Sequence, residues 1–371
     1  MPNLIIFIDG FPYRYLEKTG FLESLTYKKP MRPGFGLSVN LKPELFAGLS
    51  ADQVGFFCEW GYNGRDRDIS PLWTLLAPFR RWPYIDRAFH RVLGKVLRKA
   101  EGIANIPFDY LKYFSWIGRS VYSPDFGHPT LFTAGDLRLV LADAEPGYAP
   151  YRDEAAYYKT RRLISQGESN IFVSFVDLDA VAHKFGLCSS EYADMLRKVD
   201  LWSQTLIQEF GARWPEADIV VLSDHGMSET HHGVRIELEK NVGKAGKDRY
   251  LYFLDLTLLR VWVFDEGLRS EIEDYLRDFG EGRLITSEER VEFGITSKQW
   301  GDFIFVLNDN RVFAPNFLGL KPTKAMHSYY PTLSSQQGIL LYQGEEVEAF
   351  KGVVRARDFF KFGLRLLGIE R

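Results

Sequence analysis

The chain has 371 residues, of which 46% are hydrophobic and 26% charged, and its net charge is −3. That length can bury a sizeable core in two or three domain-sized units, and that composition excludes a disordered chain. The slightly acidic balance excludes a dedicated nucleic-acid binder, which needs a strong basic surplus.

Leu4–Ile8 is a continuous apolar, β-branched run that ends in Asp9-Gly10, the pattern of a buried strand opening into a loop. The start of the chain lacks a basic region, a long apolar stretch and a cleavage site, and no apolar run approaches the ~20 residues that span a bilayer. A cytoplasmic protein is expected. Cys58 and Cys188 are isolated, which excludes a cysteine-rich zinc site and a disulfide framework; each reads as a small buried residue.

Residues 63–150 are rich in Trp, Phe, Tyr, Arg and Pro and read as a helical insertion. Within it, Tyr84, Ile85, Ala88, Phe89, Val92, Leu93, Val96 and Leu97 form an apolar stripe. Arg87, Arg91, Lys95, Arg98 and Lys99 occupy the other side. Such a helix either packs its stripe on the core or lies on an anionic membrane surface.

The apolar runs Asn170–Val176 and Asp218–Leu222 repeat the first design. They end in Asp177 with Asp179, and in Ser223-Asp224-His225-Gly226. Helical patterns cover Glu154–Ser165 and Ser189–Trp214. Strands alternating with long helices imply a mainly parallel layered sheet, and ligands bind such sheets at the C-terminal strand edge.

Asp179 and His183 stand four residues apart, which places both on one helical face toward one ion; taken alone, the pair also fits an exposed i,i+4 contact. Asp224 and His225 share a target only if the chain turns there, and Gly226 is the residue expected to turn it. Taken alone, that tetrapeptide also fits a helix cap. His231 and His232, in a polar loop, read as solvated.

The segment 258–320 reads as a small α/β insertion, with strands at Leu259–Phe264 and Asp302–Leu307 around a helix at Leu268–Phe279. A strand at Gly338–Tyr342 and a helix at Arg357–Leu367 close the core, and the Phe359–Leu367 stretch shares the basic-aromatic character of residues 84–99. The expected division is core at 1–62, 151–257 and 321–371, with insertions at 63–150 and 258–320.

These motifs, in this order, resemble the alkaline phosphatase superfamily, particularly its type I phosphodiesterase/nucleotide pyrophosphatase branch. The resemblance rests on Asp9-Gly10, Ser38 ten residues before Gly48, Asp179 to His183, Asp224-His225-Gly226-Met227, and His327. It implies an α/β fold with a layered α/β/α core. It also implies one ion held by Asp9, Asp224 and His225 and touching Ser38, and a second held by Asp179, His183 and His327. Carboxylate and imidazole donors suit zinc ahead of manganese.

Ser38 would be the nucleophile of a phosphodiesterase that works through a phosphoseryl intermediate. A phosphotransferase or phosphomonoesterase on the same scaffold, and a non-catalytic binder, are the alternatives. The chain departs from the branch in Ser38-Val39-Asn40, where Thr-Phe-Pro is usual, and Glu59 is nearest the place of the usual phosphate-holding Asn. Asn40 and Asn63 are its nearest amides. A small-molecule phosphodiester, lipid- or sugar-linked, is the expected substrate, with peripheral membrane contact and no nucleic acid.

Overall fold

A computed structural model describes residues 1–64, 106–107, 110, 113–117, 119–144 and 152–369. The basic amphipathic stripe at 84–99 lies outside the described residues. The chain divides into two compact units, one of residues 1–54, 119–229 and 323–371, the other of 55–118 and 230–322.

The first unit is built on six strands: β1 (Asn3–Ile8), β2 (Tyr27–Met31), β3 (Arg138–Leu141), β4 (Asn170–Phe175), β5 (Asp218–Leu222) and β6 (Gly338–Gln343). Their order is β2-β6-β5-β1-β4-β3. The strands β5, β1, β4 and β3 run parallel, and β6 runs antiparallel to both of its neighbours. The central strands are buried on both faces, as their unbroken apolar runs predict, whereas edge strand β2 carries Lys28, Lys29 and Pro30, which discourage further pairing. The first insertion had been expected to run to residue 150. Strand β3 instead joins the central sheet: Leu139 and Val140 pack inward there while Arg138 faces solvent at the edge.

Helices cover both faces. On one, α2 (Arg152–Gln166), α3 (Asp177–Phe185) and α4 (Ser190–Arg213) pack on Leu4, Ile6, Val173, Ile219 and Val221. On the other, α1 (Ser38–Ala47) and α5 (Asp358–Leu366) close an aromatic cluster. Phe46 is its centre, with ring centroids 5.4 Å from Phe7 and from Phe172 and 6.4 Å from Phe359. The α/β/α layering expected from the alternation is present. Phe359, Phe362 and Leu366 of α5 are buried, so its apolar stripe packs inward. Among the described residues no helix is long and apolar enough to cross a membrane. Cys58 is buried as expected, but Cys188 is exposed, in the loop where its backbone N–H donates to Glu229 at 2.7 Å.

Glu44 on α1 is only 2% exposed, with Arg357 Nη2 3.3 Å from its carboxylate. Burial raises Glu44 to about 7, and Arg357, Arg32 and Arg355 offset only part of this. The folded state therefore holds this proton more tightly than the unfolded chain. Its contribution is full below the ordinary value of 4.5 and is lost as pH rises through about 7. At about 1.36 kcal/mol per unit, the swing approaches about 3 kcal/mol. Glu44→Gln is expected to flatten the fall in Tm between pH 5 and pH 8, measured by thermal unfolding; parallel profiles for the two proteins would contradict this.

The second unit holds an antiparallel sheet in the order Tyr250–Leu254, Leu258–Val263, Phe303–Leu307, Gly282–Leu284, with a helix at Arg269–Asp278. The strand and helix patterns read for 258–320 fall within one residue of these bounds, and Tyr250–Leu254 adds a strand before them. Fully buried Arg260 is held by Asp255 at 3.2 Å and by the rings of Phe253 and Trp262.

Candidate metal centre

Strand register brings the acids together. Ile8 pairs with Phe175 and Phe7 with Leu222, so the chain leaves β1, β4 and β5 at one level, with Asp9, Asp179 and Asp224 just beyond. After β1, Gly10 takes a left-handed φ of +67°, and a β-carbon there would press on Asp179 Oδ1 at 2.8 Å. After β5, Phe11 N–H donates to Ser223 Oγ at 2.9 Å, and that hydroxyl donates to the His225 carbonyl at 2.8 Å, bending the chain at Asp224.

Gly226 was expected to be needed for its freedom to turn. It has no left-handed φ. Its N–H donates to Gln336 O at 2.7 Å, and a β-carbon there would overlap the backbone oxygen of Ser335. Close backbone approach is thus what requires glycine here. Gly226→Ala is expected to destabilise the fold by about 1–3 kcal/mol, the usual cost of forcing atoms into a packed site. Denaturant unfolding measures this, and a loss below about 0.5 kcal/mol, the scale of a neutral surface change, would contradict it.

The first turn of α3 carries Asp179, whose Oδ2 lies 3.3 Å from His183 Nε2 one turn on. Asp153 fixes where this helix starts, accepting from Val176 N–H at 2.7 Å and Asp177 N–H at 3.0 Å; Asp177 accepts from Asp153 N–H at 3.0 Å in return. Ser38 is the first residue of α1, and its Oγ stands 3.2 Å from His225 Nε2 and 3.5 Å from His327 Nε2. His327 follows Ala325–Met326, which pairs with Ser228–Glu229, and its ring stacks on His225 at 3.7 Å. The seven sequence-expected residues therefore form one contiguous set in the first unit.

The donor chemistry fits divalent cations. His225 Nδ1 lies 2.7 Å from Gly226 O and His183 Nδ1 2.8 Å from Ala325 O. A carbonyl only accepts, so in the neutral ring Nδ1 keeps the proton and Nε2 faces the site with its lone pair. His327 Nδ1 is engaged by Ser328 Oγ at 2.8 Å, with Ser328 held at a φ of +69°. Buried oxygens Asp9 Oδ1, Asp179 Oδ1 and Asp224 Oδ2 have no hydrogen-bond partner among the described residues. Donor atoms of Asp9, Asp224 and His225 lie within 4.8 Å of one another, as do those of Asp179, His225 and His327. The first group is the one the resemblance implied. In the second, His225 stands beside Asp179 and His327, with His183 joined through Asp179.

The electrostatics agree. Burial and the Asp9 charge push Asp224 up to about 7, an acid cluster short of positive charge. Burial would raise Asp9 as well, but Lys42 and His225 hold it below the ordinary range. Burial would lower His225, but Asp224 and Asp9 raise it to about 9. Burial, with His225 and His183 close by, lowers His327.

Sequence reading missed Lys42, whose Nζ lies 2.9 Å from Asp9 Oδ2. Its position four residues after Ser38 was the available signal. Asn40 is fully buried, and its amide donates to Phe35 O at 2.8 Å. Asn63 and Glu59 lie in the second unit.

Residues 124–268, which include Asp179, His183, Asp224 and His225, match the family model of type I phosphodiesterase / nucleotide pyrophosphatase. No curated protein sequence matches the chain. Among solved structures, murine ectonucleotide pyrophosphatase / phosphodiesterase 5 is similar at a TM-score of 0.66 and 16% identity, covering 99% of this chain and 95% of that one. The human form gives 0.61 at 16%, covering 100% and 95%. Phosphonoacetate hydrolase from Sinorhizobium meliloti 1021, in complex with phosphonoformate, gives 0.66 at 15%, covering 99% and 96%. By its family match over residues 124–268 the chain bears out the resemblance to type I phosphodiesterase / nucleotide pyrophosphatase, and its fold is similar to that of these solved structures.

Proposed function

We propose that this chain is a metal-dependent phosphodiesterase acting on a small-molecule phosphodiester through a phosphoryl group carried on Ser38. Asp9, Asp224 and His225 would hold one divalent ion and Asp179, His183 and His327 a second, zinc ahead of manganese. When bound, such ions supply the positive charge that favours a serine alkoxide and stabilises the attacking and leaving oxygens. The observation that carries this reading is Ser38 Oγ, 3.2 Å and 3.5 Å from the Nε2 atoms of histidines assigned to different ions.

In the proposed reaction Ser38 Oγ gives up its proton, attacks phosphorus and forms a P–O bond; one alcohol departs with the electrons of its own P–O bond and takes up a proton, while the second ester group stays on phosphorus. Water then adds to phosphorus, the Ser38–phosphorus bond breaks, and a phosphomonoester leaves as the serine hydroxyl takes back a proton. The start of α1 places backbone N–H groups and the positive end of the helix dipole beside Ser38, where negative charge gathers. His225, His183 and His327 keep Nε2 turned inward throughout because their Nδ1 atoms are engaged.

Zinc-loaded protein should hydrolyse bis-p-nitrophenyl phosphate in preference to p-nitrophenyl phosphate, with no product transferred to an added alcohol. A reversed preference would favour a phosphomonoesterase, and transfer to the alcohol a phosphotransferase. Bound metal with no turnover of either ester would favour a binding protein.

A further inference from the structure

Lys42 and Tyr122 have no part in the assignments above, yet Lys42 stands at the edge of the acid cluster and Tyr122 packs on the aromatic rings around Phe7 beneath it. Lys42 lies one turn after Ser38 on α1, a spacing that puts both side chains on one face of the helix. Its ammonium donates to Asp9 Oδ2 at 2.9 Å and lies 5.6 Å from the centre of the Phe7 ring. Among the described residues Asp9 is its only hydrogen-bond acceptor, so two of its three N–H groups remain for another anion. The Lys42 side chain is 20% exposed, so a solute can reach it.

Tyr122 lies 5.9 Å, ring to ring, from both Phe46 and Phe172, and those two rings flank Phe7, over which the Lys42 ammonium sits. Its ring packs among Phe46, Phe132 and Phe172, and its hydroxyl is buried with no partner among the described residues. An unused ammonium one helical turn from a nucleophile, with an unused phenol on the adjoining ring cluster, makes a pair of donors for a tetrahedral oxyanion. Asn40 is fully buried with its amide donating to Phe35 O, so it offers a solute no exposed donor.

We propose that Lys42, seconded by the Tyr122 hydroxyl, grips non-bridging oxygens of the phosphoryl group carried by Ser38; this rests on the phosphoryl chemistry proposed above. Lys42 is then a catalytic residue in the strict sense, touching the reacting group, and it holds the outer oxygen of Asp9 at the same time. A lysine ammonium suits the task as a compact charge with rotatable donors.

The test compares zinc-loaded wild type, Lys42→Met, Lys42→Arg and Tyr122→Phe. Inorganic phosphate is the probe, followed as a competitive inhibitor and by its ³¹P resonance, with bound zinc per chain measured on the same samples. Lys42→Met is expected to keep the wild-type zinc content and bind phosphate about 10- to 100-fold more weakly, the range of a hydrogen bond to a charged group. Lys42→Arg should recover most of that affinity, and Tyr122→Phe should lose a smaller part.

Wild-type phosphate affinity in zinc-replete Lys42→Met would overturn the proposal. So would zinc loss in that variant with affinity restored by excess zinc, since Lys42 would then act only through Asp9. A zinc-loaded wild type that hydrolyses esters but does not bind phosphate would overturn this inference alone; one that does neither would overturn the function above with it.

Discussion

Replacing Ser38 with alanine is expected to lower phosphodiester turnover by on the order of 10³-fold or more while leaving fold and bound metal unchanged. The expectation follows from what Ser38 Oγ does and does not touch. Its neighbours are the Nε2 atoms of His225 and His327, and it plays no part in capping α1, whose cap residue is Leu37. Removing the oxygen takes away the attacking atom without uncapping a helix or opening the core. Tm should therefore move little, within the roughly 0.5 kcal/mol typical of a neutral substitution. Steady-state kinetics on matched metal-loaded samples measures the loss. Rapid quenching with bis-p-nitrophenyl phosphate should leave the mass of a p-nitrophenyl-phosphoryl group on the Ser38 peptide of the wild type and none in the variant. Equal turnover in the two proteins would mean that another group attacks phosphorus.

Asp224→Asn is expected to produce the second large loss, comparable in turnover, by a different route. Asp224 is fully buried and its Oδ2, 3.6 Å from His225 Nε2, has no hydrogen-bond partner among the described residues, so the amide would replace a negative group by a neutral one in the set with Asp9 and His225. Saturating zinc should raise the wild-type Tm, since a ligand at 1,000 times its Kd stabilises by about 4 kcal/mol. The variant should gain much less. In metal-free protein above pH 7 the order is expected to reverse: burial and Asp9 hold Asp224 at about 7, so ionising it in the folded state costs stability that the amide avoids. Thermal unfolding of both proteins, with zinc and with chelator, checks both halves. A variant that gains as much from zinc as the wild type would remove Asp224 from the proposed ligands.

Much of this architecture is legible in the residues because buried parallel strands leave a coarse mark. The runs leading to Asp9, Asp179 and Asp224 are mostly apolar, and each occupies a central position in the sheet. The period of α4 likewise gives its bounds, Ser190–Arg213, within one residue at each end. What escapes is whatever depends on contact across the fold. Strand β3 is short and half exposed, so nothing in Arg138–Leu141 marks it as part of the main sheet. Gly226 looks like a turn residue until the backbone of Ser335 is seen against it. Lys42 carries no signal in the sequence beyond its place four residues after Ser38, and its role appears only when Asp9 is placed opposite. Ser328 carries no signal of its left-handed backbone or of its contact with His327 Nδ1. The amphipathic stretch at the C-terminal end is ambiguous in sequence because a stripe of Phe and Leu suits a lipid surface and a protein core equally; Phe46 and Leu131 decide for the core.

Zinc stoichiometry tests the proposed centre most directly. After equilibration with zinc and removal of excess, elemental analysis should find two ions per chain in the wild type and one in each of Asp9→Asn and His327→Ala, which deplete different ligand groups. A wild type that retains no zinc, or variants that both retain two ions, would contradict a dinuclear centre built from these side chains.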